Sequence, residues 1–209
     1  MTQVQPDSEE TRDLLQRARA GDREAFELLF GRHRPTVRAF IDLRLDPRVR
    51  ARVDPSDVVQ EAQMDAWNGL ARFLEREPMP FRLWLQKTAY QRLLKVQRHH
   101  LAAKRTVKRE ASLPDRSSLL LVRQLLARGP SPAEQLAAAE VARRVRRALQ
   151  GLDETDREIL LMRNVEELAY EEVGYLLDIT AAAARKRYGR ALIRLQKALA
   201  EDGLLESPS

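Results

Sequence analysis

Apolar residues recur along most of this chain at the spacing of three and four that marks one face of an α-helix, and β-branched runs are scarce. The periodicity starts near Thr11, with Leu14, Leu15 and Ala18, after a polar stretch (1–10) expected to be disordered. Gly21-Asp22 reads as a helix stop followed by the N-cap of a second helix, which holds Phe26, Leu29 and Phe30. Pro35 is placed early in a further helical stretch through Val37, Phe40 and Ile41. Asp46-Pro47 and Asp54-Pro55-Ser56 are loop or capping signals.

From Asp57 to about Phe73 the pattern is strongly two-sided. Val59, Ala62, Ala66, Leu70 and Phe73 fall on one narrow stripe, while Asp57, Glu61, Met64 and Asn68 fall opposite, with Gln60 at their edge. After a proline-bearing loop (75–80), the next long helix is predicted from Phe81 to about His100. Phe81, Leu85, Ala89, Leu93 and Val96 share one face of it, and Trp84, Lys87, Gln91, Lys95 and Arg98 share another. Cations track phosphates and rings stack bases, so the second face suits opened DNA. For Trp84 the competing reading is a core or boundary residue, and for the cations a solvated face.

Residues 101–132 are basic at first and then rich in Ser, Pro and Gly, which predicts a linker, with one helical piece at 118–127. A helix begins after Pro132 and ends at Gly151. The segment 152–199 then reads as a helix-turn-helix unit: a short helix at Tyr170–Leu177, a tight turn at Asp178-Ile179-Thr180, and a second helix from about Ala181. Ala184, Tyr188, Ala191, Leu195 and Leu199 form the apolar stripe of that second helix. Arg187, Arg190 and Arg194 lie opposite, with Lys186 beside them, and this basic face is expected to look outward. Arg offers a rigid donor fork to phosphates and to the guanine edge. The first turn is a run of alanines, so base readout is placed on Thr180, Arg185, Lys186 and Arg190, with Arg187 and Arg194 as further DNA-binding residues of the helix.

Composition narrows the class further. The chain has 209 residues, enough for two small domains, and a net charge of +6, which permits a polyanionic partner. It has no Cys, which removes disulfides and thiolate metal sites. No apolar stretch is long enough for a membrane helix and no signal core opens the chain, so the expected compartment is the cytoplasm. His33 is remote from His99-His100, and no Gly-rich phosphate loop or nucleophile motif appears. No metal, cofactor or enzymatic activity is expected.

In their order and spacing these segments resemble the extracytoplasmic-function group of bacterial sigma factors. AFELLFGRHRP (25–35) resembles the start of that group's region 2, and DVVQEAQMDAW (57–67) is similar to its D-L-V-Q-E-x-F-x-x-A-W pattern. FRLWLQKTAYQRLLKVQRHH (81–100) is similar to the following helix, and the helix-turn-helix segment to region 4. The resemblance implies an all-α chain with region 2 at 11–100, a flexible linker at 101–132, region 4 at 133–200 and a tail at 201–209. It implies that Asp57, Gln60, Glu61 and Asn68 dock on the clamp helices of the polymerase largest subunit. It also implies that the loop 75–80 and the helix carrying Trp84, Lys87, Gln91, Lys95 and Arg98 capture the −10 region, and that region 4 reads the −35 element. The implied partners are core RNA polymerase, through its clamp helices and flap, promoter DNA, and an anti-sigma factor. Met79-Pro80 stand where the group often has Gly, and Asp178 where the turn commonly has Gly. The competing reading is a free-standing helix-turn-helix regulator that binds a palindrome as a dimer. Such a regulator has no reason to carry the 57–67 motif.

Overall fold

Ser8 and Asp22 start the first two helices by the same device. The Ser8 hydroxyl accepts from the Thr11 amide at 3.2 Å, and the Asp22 carboxylate accepts from the Ala25 amide at 3.0 Å, each satisfying a donor that a helix start leaves without a partner. In the computed structural model of the protein, which describes residues 4–76, 79–102 and 144–201, these caps open α1 (Glu9–Arg19) and α2 (Arg23–Arg44). Between them Gly21 takes a φ of +92°, a conformation that favours glycine. The stop-and-restart expected at Gly21-Asp22 is therefore present. The expected disorder of 1–10 is not, as far as its residues are described. The Asp7 carboxylate accepts the Phe81 amide at 2.8 and 3.1 Å, and the helix already begins at Glu9.

α3 (Pro47–Arg50) is a single turn capped by Asp46, and α4 (Pro55–Arg76) and α5 (Phe81–Ala102) complete the first unit. α2 packs on α1, α4 and α5, and α4 packs on α5. Phe26, Leu29, Phe30, Phe40, Ile41, Phe81, Leu83, Leu85 and Leu93 are fully buried among them. Pro35 does not separate two helices. It lies inside a continuous α2, where it removes one backbone donor but the flanking turns are held by burial of Phe26, Leu29, Phe30, Val37 and Phe40. α5 takes in residues 101 and 102, which the sequence pattern assigned to the linker. The rest of that linker, the 118–127 piece and the Lys104–Arg109 run lie outside the described residues.

The second compact unit contains a helical segment at 144–150, α6 (Glu154–Asn164), α7 (Tyr170–Leu177) and α8 (Ala181–Glu201). α8 packs on both α6 and α7. Leu149, Ile159, Leu160, Leu161, Met162, Val173, Ala184 and Ala191 form its core. Every described regular element in both units is helical.

Candidate nucleic-acid and polymerase interface

The turn between α7 and α8 is built around two residues of opposite character. Asp178 closes α7 in the left-handed region, with a φ of 55°, where the sequence reading noted the absence of glycine. Four residues earlier, Gly174 accepts the Ile179 amide at 2.9 Å. A Cβ on Gly174 would stand 2.6 Å from the Ile179 carbonyl and 3.2 Å from the Ala181 nitrogen, so only glycine lets the chain turn this closely. The Thr180 hydroxyl then accepts from the Ala183 amide at 3.1 Å and starts α8. Thr180 is exposed, so the same hydroxyl keeps its own proton for a ligand.

α8 buries Ala184, Ala191, Leu195 and Leu199 against α6 and α7, and Tyr188 donates its hydroxyl to Asn164 Oδ1 at 3.0 Å. Arg185, Lys186 and Arg190 face solvent, as expected. Arg187 and Arg194 do not project outward as an unpaired basic face. Arg187 Nε stands 2.9 Å from Asp156 Oδ1 and its Nη2 3.1 Å from Asp153 Oδ1. Arg194 Nη1 lies 3.3 Å from Asp153 Oδ2 and also reaches Asp156. Helical spacing puts these arginines on the outer half of α8, but it takes no account of acidic residues that the fold brings from α6. Partial burial works against the Asp153 carboxylate, yet the Asp156 amide and the arginines outweigh it and hold its pKa below the ordinary value.

Arg185 has a partner of another kind. Its guanidinium carbon lies 5.1 Å from the Tyr170 ring centre, and Arg163 lies 4.3 Å from the same ring. Arg163 also donates to the Leu168 carbonyl. Sequence reasoning missed Tyr170, Asp153 and Asp156. Asp153 and Tyr170 stand at helix starts, and nothing in their local spacing points to α8.

In the first unit, the α4 stripe is buried as the pattern predicts, and Asp57, Gln60, Glu61, Met64 and Asn68 are all exposed. Met64 shows 67% of its surface, a large apolar side chain in the middle of a polar row. The α5 face divides. Gln91, Lys95 and Arg98 are exposed, and Lys87 is half-buried. Trp84 does not present an open ring. It stacks on Phe73 with centroids 4.6 Å apart, sits 5.6 Å from Phe81, and has its Cζ2 3.3 Å from the position of a Cβ on Gly69. The boundary reading of Trp84 is the one this geometry supports, because the ring is half-buried against Phe73 of α4 and Phe81 of α5. Among the described residues no cluster of His, Asp and Glu is arranged to hold a metal, and no helix is long and apolar enough to cross a membrane.

Residues 142–195 match the family described as Sigma-70, region 4. Over almost its whole length the chain is similar to curated bacterial proteins. It is 27% identical over 179 residues to an ECF RNA polymerase sigma-E factor of Haemophilus influenzae, spanning 85% of this chain and 89% of that protein. It is 29% identical over 194 residues to RNA polymerase sigma factor CarQ of Myxococcus xanthus, spanning 90% and 96%. Among solved structures, CnrH in complex with the cytosolic domain of CnrY aligns with a TM-score of 0.58 at 23% identity, covering 93% of this chain and 99% of that one. The sigma factor RpoE in complex with the anti-sigma factor NepR from Bartonella quintana aligns with a TM-score of 0.53 at 18% identity, over 84% and 96%.

Proposed function

The chain belongs to the extracytoplasmic-function group of the sigma-70 family, and from that premise we propose how its surfaces divide the work of transcription initiation. As a sigma factor it directs core RNA polymerase to specific promoters and promotes DNA opening. The exposed row on α4 (Asp57, Gln60, Glu61, Asn68) is the polymerase-docking surface, with Met64 as its apolar centre. A polar row around one large apolar residue matches the usual anatomy of a protein interface. That row is the observation that carries the reading, because a helix-turn-helix regulator acting alone would leave it without a purpose.

The exposed strip of α5 (Gln91, Lys95, Arg98), flanked by Lys87, follows the phosphates of the opened strand near −10. Trp84 supports this strip from within the α4–α5 packing and does not itself stack a base. Unstacking costs a few kcal/mol per base, and cationic contacts to the opened strand offset it. In region 4, Thr180, Arg185, Lys186 and Arg190 are the surface offered to the −35 duplex. The contribution of the protein is recruitment and strand capture, not bond-making chemistry. No cofactor or metal is required, and its place of action is the cytoplasm, with an anti-sigma factor as a further partner.

Transcription from random-promoter templates by purified core polymerase, with and without this protein, tests the function. Promoter-specific transcripts are expected only when it is present. Asp57→Ala/Glu61→Ala is expected to weaken binding to core while duplex binding by region 4 stays unchanged. Glu61 makes only a 3.5 Å contact with Arg92, so the pair can be removed without opening α4 from α5. If the purified chain has no affinity for core polymerase and runs as a dimer in native mass measurements, the regulator reading replaces this one.

A further inference from the structure

Five cations decorate the first four turns of α8, and the structure sorts them into two groups. Arg185, Lys186 and Arg190 are exposed, whereas Arg187 and Arg194 both end on the same two carboxylates. Asp153 and Asp156 each contact both arginines, so two negative and two positive charges form a closed set. The oxygens of the two acids meet the guanidinia much as the oxygens of a phosphate would.

The two acids are not equivalent. Asp156 is 1% exposed and its carboxylate depends on the arginines for charge compensation. Asp153 is 48% exposed and caps α6 through the Asp156 amide at 3.0 Å. The two arginines differ in the same sense. Arg187 is one-third exposed and makes well-formed contacts to both acids. Arg194 is 55% exposed and reaches both through a single nitrogen, Nη1.

We propose that Asp153 and Asp156 stand in for DNA phosphate within the protein, keeping Arg187 and Arg194 off the duplex and confining the backbone contacts of α8 to Arg185, Lys186 and Arg190. This rests on the reading of α8 as the duplex-binding helix. Asp153 then sets how much of the affinity is sequence-independent. With it in place, fewer phosphate contacts form, and base-edge contacts carry a larger share of the binding. Without the Asp153 charge, Asp156 alone faces two guanidinia; Arg187 holds it through Nε, and Arg194, the more exposed of the two, is the cation released.

The test measures binding of the full chain to a mixed-sequence DNA duplex across a range of salt concentrations. Each phosphate contact adds about 0.9 to the slope of log affinity against log salt, so the slope counts the engaged cations. Asp153→Asn keeps an N-cap acceptor and removes the charge. It is expected to raise affinity severalfold and to steepen the slope by roughly one contact. Asp153→Asn/Arg194→Gln is expected to return to the wild-type slope. Glu154→Gln removes an exposed charge next along the chain and controls for general repulsion; it is expected to leave the slope unchanged. Arg194→Gln alone is also expected to leave the slope unchanged, a measurement that stands even if Asp153→Asn does not fold. The proposal is overturned if Arg194→Gln alone flattens the slope, or if Asp153→Asn behaves like Glu154→Gln. Arg190→Gln is expected to flatten the slope by about one contact. If it does not while the double variant still cancels Asp153→Asn, the exposed-cation reading of α8 is at fault and the proposal stands; if neither holds, both fall.

Discussion

Arg92 on α5 forks onto Asp65 of α4, with Nε 2.6 Å from Oδ2 and the second arm of the guanidinium on Oδ1. The Asp65 hydrogen bonds hold the Arg92 guanidinium, whose pKa is raised further above its ordinary value. The fork joins the helix assigned to polymerase docking to the helix assigned to the opened strand. Asp65→Ala leaves a largely buried guanidinium without its main partner, and the expected loss of stability is about 2 kcal/mol. Both tryptophans, Trp67 and Trp84, lie in this unit, so their fluorescence during urea unfolding reports on it alone. An unchanged midpoint would show that the fork is incidental.

Two glycines of region 4 are expected to respond in opposite directions to the same substitution. Gly174→Ala places a methyl group against the Ile179 carbonyl, and the turn must move to admit it, at a cost of about 1–3 kcal/mol. Gly189 has open space around its missing Cβ, so Gly189→Ala is expected to stabilise α8 by roughly 0.5–1 kcal/mol. Thermal unfolding followed by circular dichroism separates the two. Stabilisation by both would mean that the turn accommodates the methyl group.

How far the sequence could be read depended on the range of the interaction. The α4 stripe was legible because a helix buried on one side carries a clean period: Val59, Ala62, Ala66, Leu70 and Phe73 are all inside. α5 was less legible. It packs on α2, α3 and α4, so Leu83 and Tyr90 are buried although they lie off the face that the pattern marked. The helix-turn-helix could be placed because its turn residues are consecutive. The pairing of Arg187 and Arg194 could not, because their partners on α6 are 31 to 41 residues away. Pro35 misled for a related reason: local propensity predicts an interruption, and tertiary burial on both sides of it carries the helix through.

Tyr170 is expected to act on DNA binding through Arg185. Two guanidinia lie 4.3 and 5.1 Å from the centre of its half-buried ring, and a cation over such a ring is worth about 0.5–1 kcal/mol. Tyr170→Phe keeps the ring and should bind a −35 duplex as the wild type does. Tyr170→Ala should lose roughly two- to fivefold in affinity, the equivalent of that energy. In an Arg185→Ala background the same change should have little further effect. A full loss in that background would assign Tyr170 a role of its own.

The first unit is expected to weaken in mild acid through His33. Its ring is 5.4 Å from the Phe81 ring, and Nε2 is buried without a hydrogen-bond partner. Burial lowers its pKa from the usual 6.5; the Asp7 charge pulls the other way, and Arg82 and Arg32 add to the lowering. A proton therefore binds the unfolded chain more readily than the folded one. Stability is unaffected well above the ordinary value and falls as the pH drops below it, until the folded form also titrates. Asp7 accepts from the Phe81 amide, so the same small region anchors the chain start and the head of α5. Urea midpoints from tryptophan fluorescence at about pH 7.5 and about pH 5.5, either side of the histidine range, should separate for the wild type and draw together for His33→Gln. An equal separation in both proteins would overturn the assignment to His33, since Asp22 and Asp54, whose pKa values are lowered by backbone hydrogen bonds from Ala25 and Ser56, stay ionised in both states across this window.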